Sequence, residues 1–302
     1  MKATVRPRAT FDAPLAHWFA RQGWTPARFQ RSAWGHSRAG REELLVPPTG
    51  SGKTLAAFGG PLLQALRDPP AQTRKRGDHV AARTRVLWIT PLRALANDTT
   101  RALREPIEAL GLPWTVAMRT GDASARDKRL SRNGQSDVLL TTPESLALLL
   151  SYPETAAQLQ GLRAIVVDEW HELLDSKRGV LLQLCLARLR TLSPTVRTWG
   201  LSATLGNLAE ARDVLLPHVP DAPIIDAAKP RSLTLETLLP DAGERFPWAG
   251  HLGLSQLQRV VARLQDVRST LLFANTRSQA ELWHQALQSV WLDDPVTLAL
   301  HH

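Results

Sequence analysis

An α/β fold built on a doubly wound parallel sheet is what this 302-residue chain predicts. Two observations carry the prediction. Short apolar runs bounded by turn residues recur along the chain, and they are continuous rather than alternating, as in strands buried on both faces of a parallel sheet. Longer helix-patterned segments separate them, which is the strand–helix alternation of an α/β domain. Ligands of such a sheet bind at the loops after the carboxyl ends of its strands. Hydrophobic residues at 43% and charged residues at 22% are ordinary globular usage, which excludes a disordered or collagen-like chain.

The runs read in order as follows. Residues 43–46 form the first strand and 55–66 the helix after it; 85–90 leads into a helix over 92–110. Strands follow at 114–118 and 137–142, the latter ahead of a helix at 145–151. Residues 164–168 precede a helix over 180–191, and 198–202 is the next strand. The stretch 68–83, rich in Pro, Arg, Gly and Asp, reads as an exposed basic loop, and 217–241 as an interdomain linker with one edge strand. Residues 270–274 read as the opening strand of a second α/β unit, with a helix at 277–290 behind it. The expected division is a first α/β domain over 1–228 and, over 229–302, a linker with an incomplete second domain. The 74 residues of the latter are about half of what a further sheet domain needs.

Charge is uneven. Residues 1–150 carry 23 Lys and Arg against 12 Asp and Glu, and residues 151–302 carry 14 against 16, for a total of +9. Arginine outnumbers lysine 31 to 6. A basic, arginine-rich half suits a polyanionic partner, although a GC-rich genome also favours arginine codons. No stretch approaches about 18 consecutive apolar residues, and the N-terminus MKATVRPRAT lacks an apolar core, so neither a membrane span nor a secretory signal is expected. Cys185, the only cysteine, permits no internal disulfide and no cysteine-ligated zinc cluster. It reads as a small core residue of its helix, and His17, His36, His79, His218 and His284 show no ligand spacing. A cytoplasmic protein with no membrane partner is the expectation.

Three turns carry chemistry. Pro48-Thr49-Gly50-Ser51-Gly52-Lys53-Thr54 follows the first strand and opens a helix, where unpaired backbone N–H groups and the helix dipole converge on phosphate oxygens. Lys53 would reach the β- and γ-phosphates and the Thr54 hydroxyl would ligate Mg2+. Pro47 stands where the phosphate-loop pattern has its first glycine. In Ile165-Val166-Val167-Asp168-Glu169-Trp170-His171 a strand ends in two acids: Asp168 beside the magnesium shell, Glu169 able to polarise an attacking water, and His171 next to both. Gly200-Leu201-Ser202-Ala203-Thr204 is a small-residue turn after another strand, as readily a capped helix start as a site when taken alone.

Together these turns give the nucleotide signature of superfamily-two helicases, and further motifs extend the match. Thr90-Pro91-Leu92-Arg93-Ala94-Leu95-Ala96 resembles motif Ia, Thr141-Thr142-Pro143-Glu144-Ser145-Leu146 motif Ib, and Arg119-Thr120-Gly121-Asp122 the short motif between them. Phe273-Ala274-Asn275-Thr276-Arg277 resembles motif IV of the second RecA-like domain. The runs Gly23-Trp24-Thr25-Pro26, Asp168-Glu169-Trp170-His171-Glu172-Leu173-Leu174, Ser176-Lys177-Arg178-Gly179 and Phe246-Pro247-Trp248-Ala249-Gly250-His251 resemble the large-helicase-related (Lhr) family, in its ligase-associated DEXH-box branch.

That resemblance implies a P-loop NTPase with a RecA-like sheet and part of a second one, using ATP and Mg2+ to move on single-stranded DNA or on a duplex with a tail. It implies work in DNA repair, alongside a DNA ligase or exonuclease. It implies that Gln30 reads adenine, and that Thr49, Gly50, Ser51 and Gly52 cradle phosphate with Lys53 and Thr54. Ser202, Ala203 and Thr204 would couple hydrolysis to domain motion. Pro91, Arg93, Arg119, Thr120, Gly121, Thr142, Pro143, Glu144, Asn275, Thr276 and Arg277 would lie along the nucleic acid. It also implies that family members continue beyond the residues corresponding to His302, through the motif bearing an arginine finger. A weakly active or inactive ATPase is therefore expected of this chain alone. Two other readings fit the same residues: an RNA-directed remodeller, and a nucleotide-binding module without turnover.

Overall fold

The apolar runs between residues 43 and 202 become strands because their side chains reach opposite faces of one sheet and find a helical layer on both. The computed structural model describes residues 12–68, 84–92, 94–203, 205–227, 234–238, 253–265, 267, 269–290 and 298–301. It divides into two compact units, Met1–Pro230 and Arg231–His302.

The first unit opens with helices α1 (Ala13–Arg21) and α2 (Arg28–Arg38), then strand β1 (Glu43–Val46) and helix α3 (Lys53–Arg67). Strand β2 (Val86–Ile89), helix α4 (Ala96–Ala109), strand β3 (Val116–Arg119) and helix α5 (Ala125–Arg132) come next. Strand β4 (Val138–Thr141) leads to helices α6 (Pro143–Leu150) and α7 (Thr155–Leu159), and strand β5 (Ala164–Val167) to a 3-10 turn at Trp170–Glu172 and helix α8 (Lys177–Leu192). Strand β6 (Arg197–Leu201), helix α9 (Leu208–Leu215) and strand β7 (Ile224–Asp226) complete it. The seven strands lie in the order β3-β4-β2-β5-β6-β1-β7, and every neighbouring pair is parallel. β7 is the edge strand expected within the linker stretch.

Successive residues feed different cores. Leu44 and Val46 pack on one face with side chains from α6, α7, α8 and α9, while Leu45 packs on the other with those of α1, α2, α3 and α4. Helix α2 seats closely on α3 because Gly59 and Gly60 have no side chain there. A Cβ on Gly59 would meet Trp34 Nε1 at 2.2 Å, and one on Gly60 would meet Ser37 Oγ at 2.1 Å. Trp34, fully buried, donates its indole N–H to the Leu55 carbonyl at 2.9 Å and so fixes α2 against the start of α3. Cys185 is buried in α8, and burial pushes its thiol pKa up, as suits an inert core residue.

In the second unit the described residues hold a 3-10 turn at Leu254–Gln256, helix α10 (Leu257–Gln265) and helix α11 (Arg277–Val290). The strand expected at 270–274 is not formed: these residues carry no regular secondary structure, and Leu271 and Phe273 are 80% and 87% exposed. A parallel strand exists only through its neighbours, and no other strand occurs among the described residues of this unit.

Candidate functional site

Strands β1, β6 and β5 are adjacent and in register, Leu45 facing Leu201 and Val167 facing Gly200, so the turns after them meet at one carboxyl edge. After β1 the chain passes through Gly50 and Gly52 at φ of 74° and 87°, the left-handed region that glycine enters without steric cost. Ser51 closes the turn with its N–H and hydroxyl both donating to the Pro48 carbonyl. Gly52 then starts α3, so the N–H groups of its first turn point outward beside Lys53 and Thr54, both half-buried. Thr49 and Gly50 are exposed at the rim.

Gln30 supports this loop from α2. It is buried, its Oε1 accepts the Ala27 N–H at 2.8 Å, and its Nε2 donates to the Gly52 carbonyl at 3.1 Å. A Cβ at position 52 would stand 2.6 Å from that Nε2. The amide is thus oriented by the backbone on both sides, and the glycine is required for conformation and for space.

After β5 come the acids. Asp168 is 7% exposed; its Oδ2 accepts the Trp88 indole N–H at 3.4 Å and its Oδ1 the Glu169 N–H at 3.0 Å. Burial raises its pKa, against the pull of the Lys53 ammonium 3.9 Å away. Lys53 also donates to Glu169 Oε1, closing an ion pair between the turns of β1 and β5. Glu169 sits at φ 45°, an uncommon conformation for a side chain of its size, and so bends the chain sharply into the 3-10 turn. Trp170, fully buried, pins that turn by donating to the Ala211 carbonyl at 2.9 Å.

The turn presents His171. Its Nδ1 is 2.9 Å from Ser202 Oγ and 3.6 Å from Glu169 Oε2, and its Nε2 is 3.4 Å from Glu172 Oε1. Ser202 in turn donates its N–H to the Leu45 carbonyl of β1. The turns of β1, β5 and β6 are therefore one hydrogen-bonded system. Ala203 is half-buried beside them, and Thr204 lies outside the described residues.

These residues fit a magnesium–nucleotide. A hard cation takes oxygen donors and is commonly held by one or two carboxylates together with substrate phosphates, and a divalent charge would favour the ionised form that burial opposes at Asp168. No group of three or more His, Cys, Asp or Glu able to hold a metal occurs among the described residues, and phosphate oxygens and water would complete the shell.

The turns after β2, β4 and β3 occupy the other half of the same edge. Pro91 is buried, and Arg93 lies outside the described residues. Arg119 lies 5.7 Å from the centre of the Tyr152 ring and donates to Ser131 Oγ at 3.4 Å, while its carbonyl accepts the Thr141 hydroxyl at 2.9 Å. Thr120 is buried, and the Gly121 carbonyl accepts from Lys128 Nζ at 2.9 Å. Thr142 is buried and caps α6, accepting the Ser145 N–H at 3.4 Å, with Pro143 in the first helical position. Glu144 forms a fork–fork pair with Arg178 that holds its carboxyl down at about 2. Asn275, Thr276 and Arg277 belong to the second unit: the Asn275 N–H donates to Gln279, Thr276 Oγ1 accepts the Gln279 N–H at 3.2 Å, and Arg277 lies 3.7 Å from Glu281.

Sequence reasoning assigned no role to Trp88, Trp170 or Arg178. The indoles read as ordinary core residues. Arg178 stood within a quoted motif, but its partners are 34 and 87 residues away and no local spacing reveals them.

Residues 27–211 match the DEAD/DEAH box helicase family. The chain is 32% identical over 280 residues to the ATP-dependent helicase Lhr-Core of Methanocaldococcus jannaschii, which covers 89% of this chain and 32% of the relative. It is 34% identical over 285 residues to ATP-dependent helicase Lhr-Core protein 2 of Thermococcus barophilus, again 89% of this chain and 32% of the relative. Among solved structures, Mycobacterium smegmatis helicase Lhr bound to ssDNA and AMP-PNP superposes with a TM-score of 0.67 at 31% identity, over 91% of this chain and 35% of that one. The helicase MrfA bound to DNA and AMPPNP superposes at 0.69 with 20% identity, over 96% of this chain and 38% of that one, which speaks to the fold alone. The chain spans about a third of the length of these relatives. With its P-loop NTPase sheet and this match over most of its length, the chain belongs to the DEAD/DEAH box helicases of superfamily two, in the Lhr-like group.

Proposed function

We propose that this chain forms the nucleotide-binding part of an ATP-dependent motor that moves on single-stranded DNA. The observation that carries the reading is the shared network of Lys53, Asp168, Glu169, His171 and Ser202 across three adjacent strand ends. Gly50, Ser51 and Gly52 would wrap the phosphates with backbone N–H groups, and Gln30, braced against Gly52, would face the base. Lys53 exchanges its pairing with Glu169 for the β- and γ-phosphates. That exchange frees the Glu169 carboxylate to orient a water and accept its proton. Asp168 and the Thr54 hydroxyl would hold magnesium together with the phosphates, and that ion would supply charge neutralisation on the transferred group. His171 senses the change at Glu169 and passes it to Ser202, hence to β1 and β6.

Single-stranded DNA is the proposed track because the Lhr relative bound to ssDNA is 31% identical over most of this chain. The turns after β2, β3 and β4 supply hydroxyl, backbone and arginine groups suited to phosphates. A role in DNA repair beside a ligase or exonuclease, in the cytoplasm, rests on the resemblance of the Asp168–Leu174 run to the ligase-associated branch. In this protein no helix among the described residues is long and apolar enough to cross a membrane. The test is phosphate release with matched DNA and RNA strands. Stimulation by DNA above RNA supports the reading; equal or greater stimulation by RNA overturns the DNA assignment, and failure of the chain to bind ATP at all overturns the motor.

A further inference from the structure

The carboxyl edge of the sheet has a seam. Turns after β1, β6 and β5 hold the nucleotide groups, turns after β2, β4 and β3 hold the groups suited to a nucleic acid, and the halves meet between β5 and β2. Arg178 crosses that seam. It stands in the first turn of α8, shortly after Glu169 and the 3-10 turn. Its Nη2 donates to the Pro91 carbonyl at 3.0 Å, after β2, and to Glu144 Oε2 at 3.2 Å, after β4, while Nε donates to Glu144 Oε1. One planar guanidinium thereby fixes two turns that share no contact of sequence, a geometry that a lysine ammonium cannot reproduce.

The base of this fork is rigid. Ser176 caps α8, accepting the Gly179 N–H at 3.1 Å and donating to the Leu173 carbonyl at 2.8 Å. Gly179 lies so close to the end of the catalytic turn that a Cβ there would meet the Leu173 carbonyl oxygen at 2.0 Å. The start of α8 therefore moves with the turn that carries Glu169 and His171.

We infer that Arg178 and Glu144 are positioning residues that lock the turns after β2 and β4 into the register that binds nucleic acid, and tie that register to the nucleotide turn. Glu144 acts here as the counter-ion of Arg178 and not as a contact to the strand. A carboxylate facing phosphates would only repel them, whereas one that holds Arg178 and α6 in place aids binding despite its sign. This inference rests on the nucleic-acid reading proposed above.

The charge of Glu144 makes the test decisive. Binding of a fluorescein-labelled oligo(dT) to the chain is followed by anisotropy, with affinity for a fluorescent ATP analogue and thermal midpoint measured alongside. If Glu144 were a bystander, E144Q would bind DNA more tightly, because a negative charge beside a polyanion is gone. The expectation is the opposite: E144Q, R178A and R178K each bind about five- to tenfold more weakly, the size expected for losing one or two charge-assisted hydrogen bonds that hold a contact in place. The salt dependence of E144Q binding should match wild type, because no phosphate contact is lost. Equal or tighter binding by E144Q, or wild-type binding by R178K, overturns the inference while leaving the DNA reading intact. Failure of the wild-type chain itself to bind oligo(dT) overturns the DNA reading instead. E144Q is nearly isosteric, so its fold should be kept if R178A proves unstable.

Discussion

Lys53 and Glu169 hold each other across the site, yet their replacement should have different consequences. In the proposed reading the lysine contacts phosphate in the ground state, and the acid matters only once water attacks. Lys53→Ala is therefore expected to abolish binding of an ATP analogue. Glu169→Gln should bind it at least as well as wild type while losing about 10²–10⁴ in phosphate release, the usual worth of a positioned general base. Equal loss of nucleotide affinity in both variants would sink this assignment. A second residue-scale prediction concerns Glu43, fully buried at the other end of β1, where its Oε2 meets His36 Nδ1. Burial raises its carboxyl to about 8, and burial with the nearby Arg41 lowers the His36 imidazole, so the proton resides on the carboxyl and is donated to a neutral ring. A folded-state value above the unfolded one means that the folded protein holds the proton more tightly, so this stability is present below about 4.5 and is lost as pH rises towards about 8. Thermal midpoints of Glu43→Gln and wild type should thus diverge between those values, the variant losing less with rising pH; parallel curves would refute the protonated pair.

At the scale of elements, the site was legible where its chemistry is local and illegible where it is not. The glycines with Lys53 and Thr54, and the paired acids at the end of an apolar run, announce themselves because phosphate and metal chemistry demands those residue types in sequence. Arg178 does not, since its partners come from two other turns that only the sheet order β4-β2-β5 brings beside it. The same reasoning explains the fold. The strands at 43–46 and 164–168 were readable as short, largely apolar runs, and β1 and β5 are buried throughout. Helices α1 and α2 were not anticipated: α1 is only nine residues long with a proline in its first turn, and in α2 the buried Trp34 stands among polar and charged residues. The strand expected at 270–274 had the right residues but no described neighbour to pair with. One element-level contact can be tested directly. The first turn of α8 approaches the Leu173 carbonyl only because position 179 lacks a Cβ, and the obstructing atom is backbone that cannot swing aside. Gly179→Ala should cost about 1–3 kcal/mol, as overpacking does. For a unit of this size that lowers the midpoint by about 2–4 °C per kcal/mol. An unchanged midpoint would mean that α8 is free to shift, and the rigid link between Glu169 and Arg178 would fall with it.

At the scale of the whole molecule, the nucleotide groups all reside in the first unit. Gln30, Lys53, Asp168, Glu169, His171 and Ser202 surround the ends of β1, β5 and β6, so in the proposed reading ground-state binding of ATP rests on residues of the first unit. Hydrolysis asks for more. Negative charge that develops on the transferred phosphoryl group is stabilised in related chemistry by an arginine finger worth about 10³–10⁵ in rate. The resemblance places that group on a second RecA-like sheet, whereas the described residues of Arg231–His302 contain helices α10 and α11 and no strand. The chain also spans about a third of its Lhr relatives. Binding and turnover should therefore separate: this chain is expected to take up ATP with the affinity of a full-length relative, to release phosphate at least a hundredfold more slowly, within the range that one missing cationic group accounts for, and to separate no duplex. Labelled-ATP binding and steady-state phosphate release with single-stranded DNA, measured side by side on this chain and a full-length Lhr-Core protein, decide the matter. DNA-stimulated turnover within a few fold of the full-length enzyme would show that these 302 residues stabilise the transition state by themselves. The charge would then have to come from a residue within them.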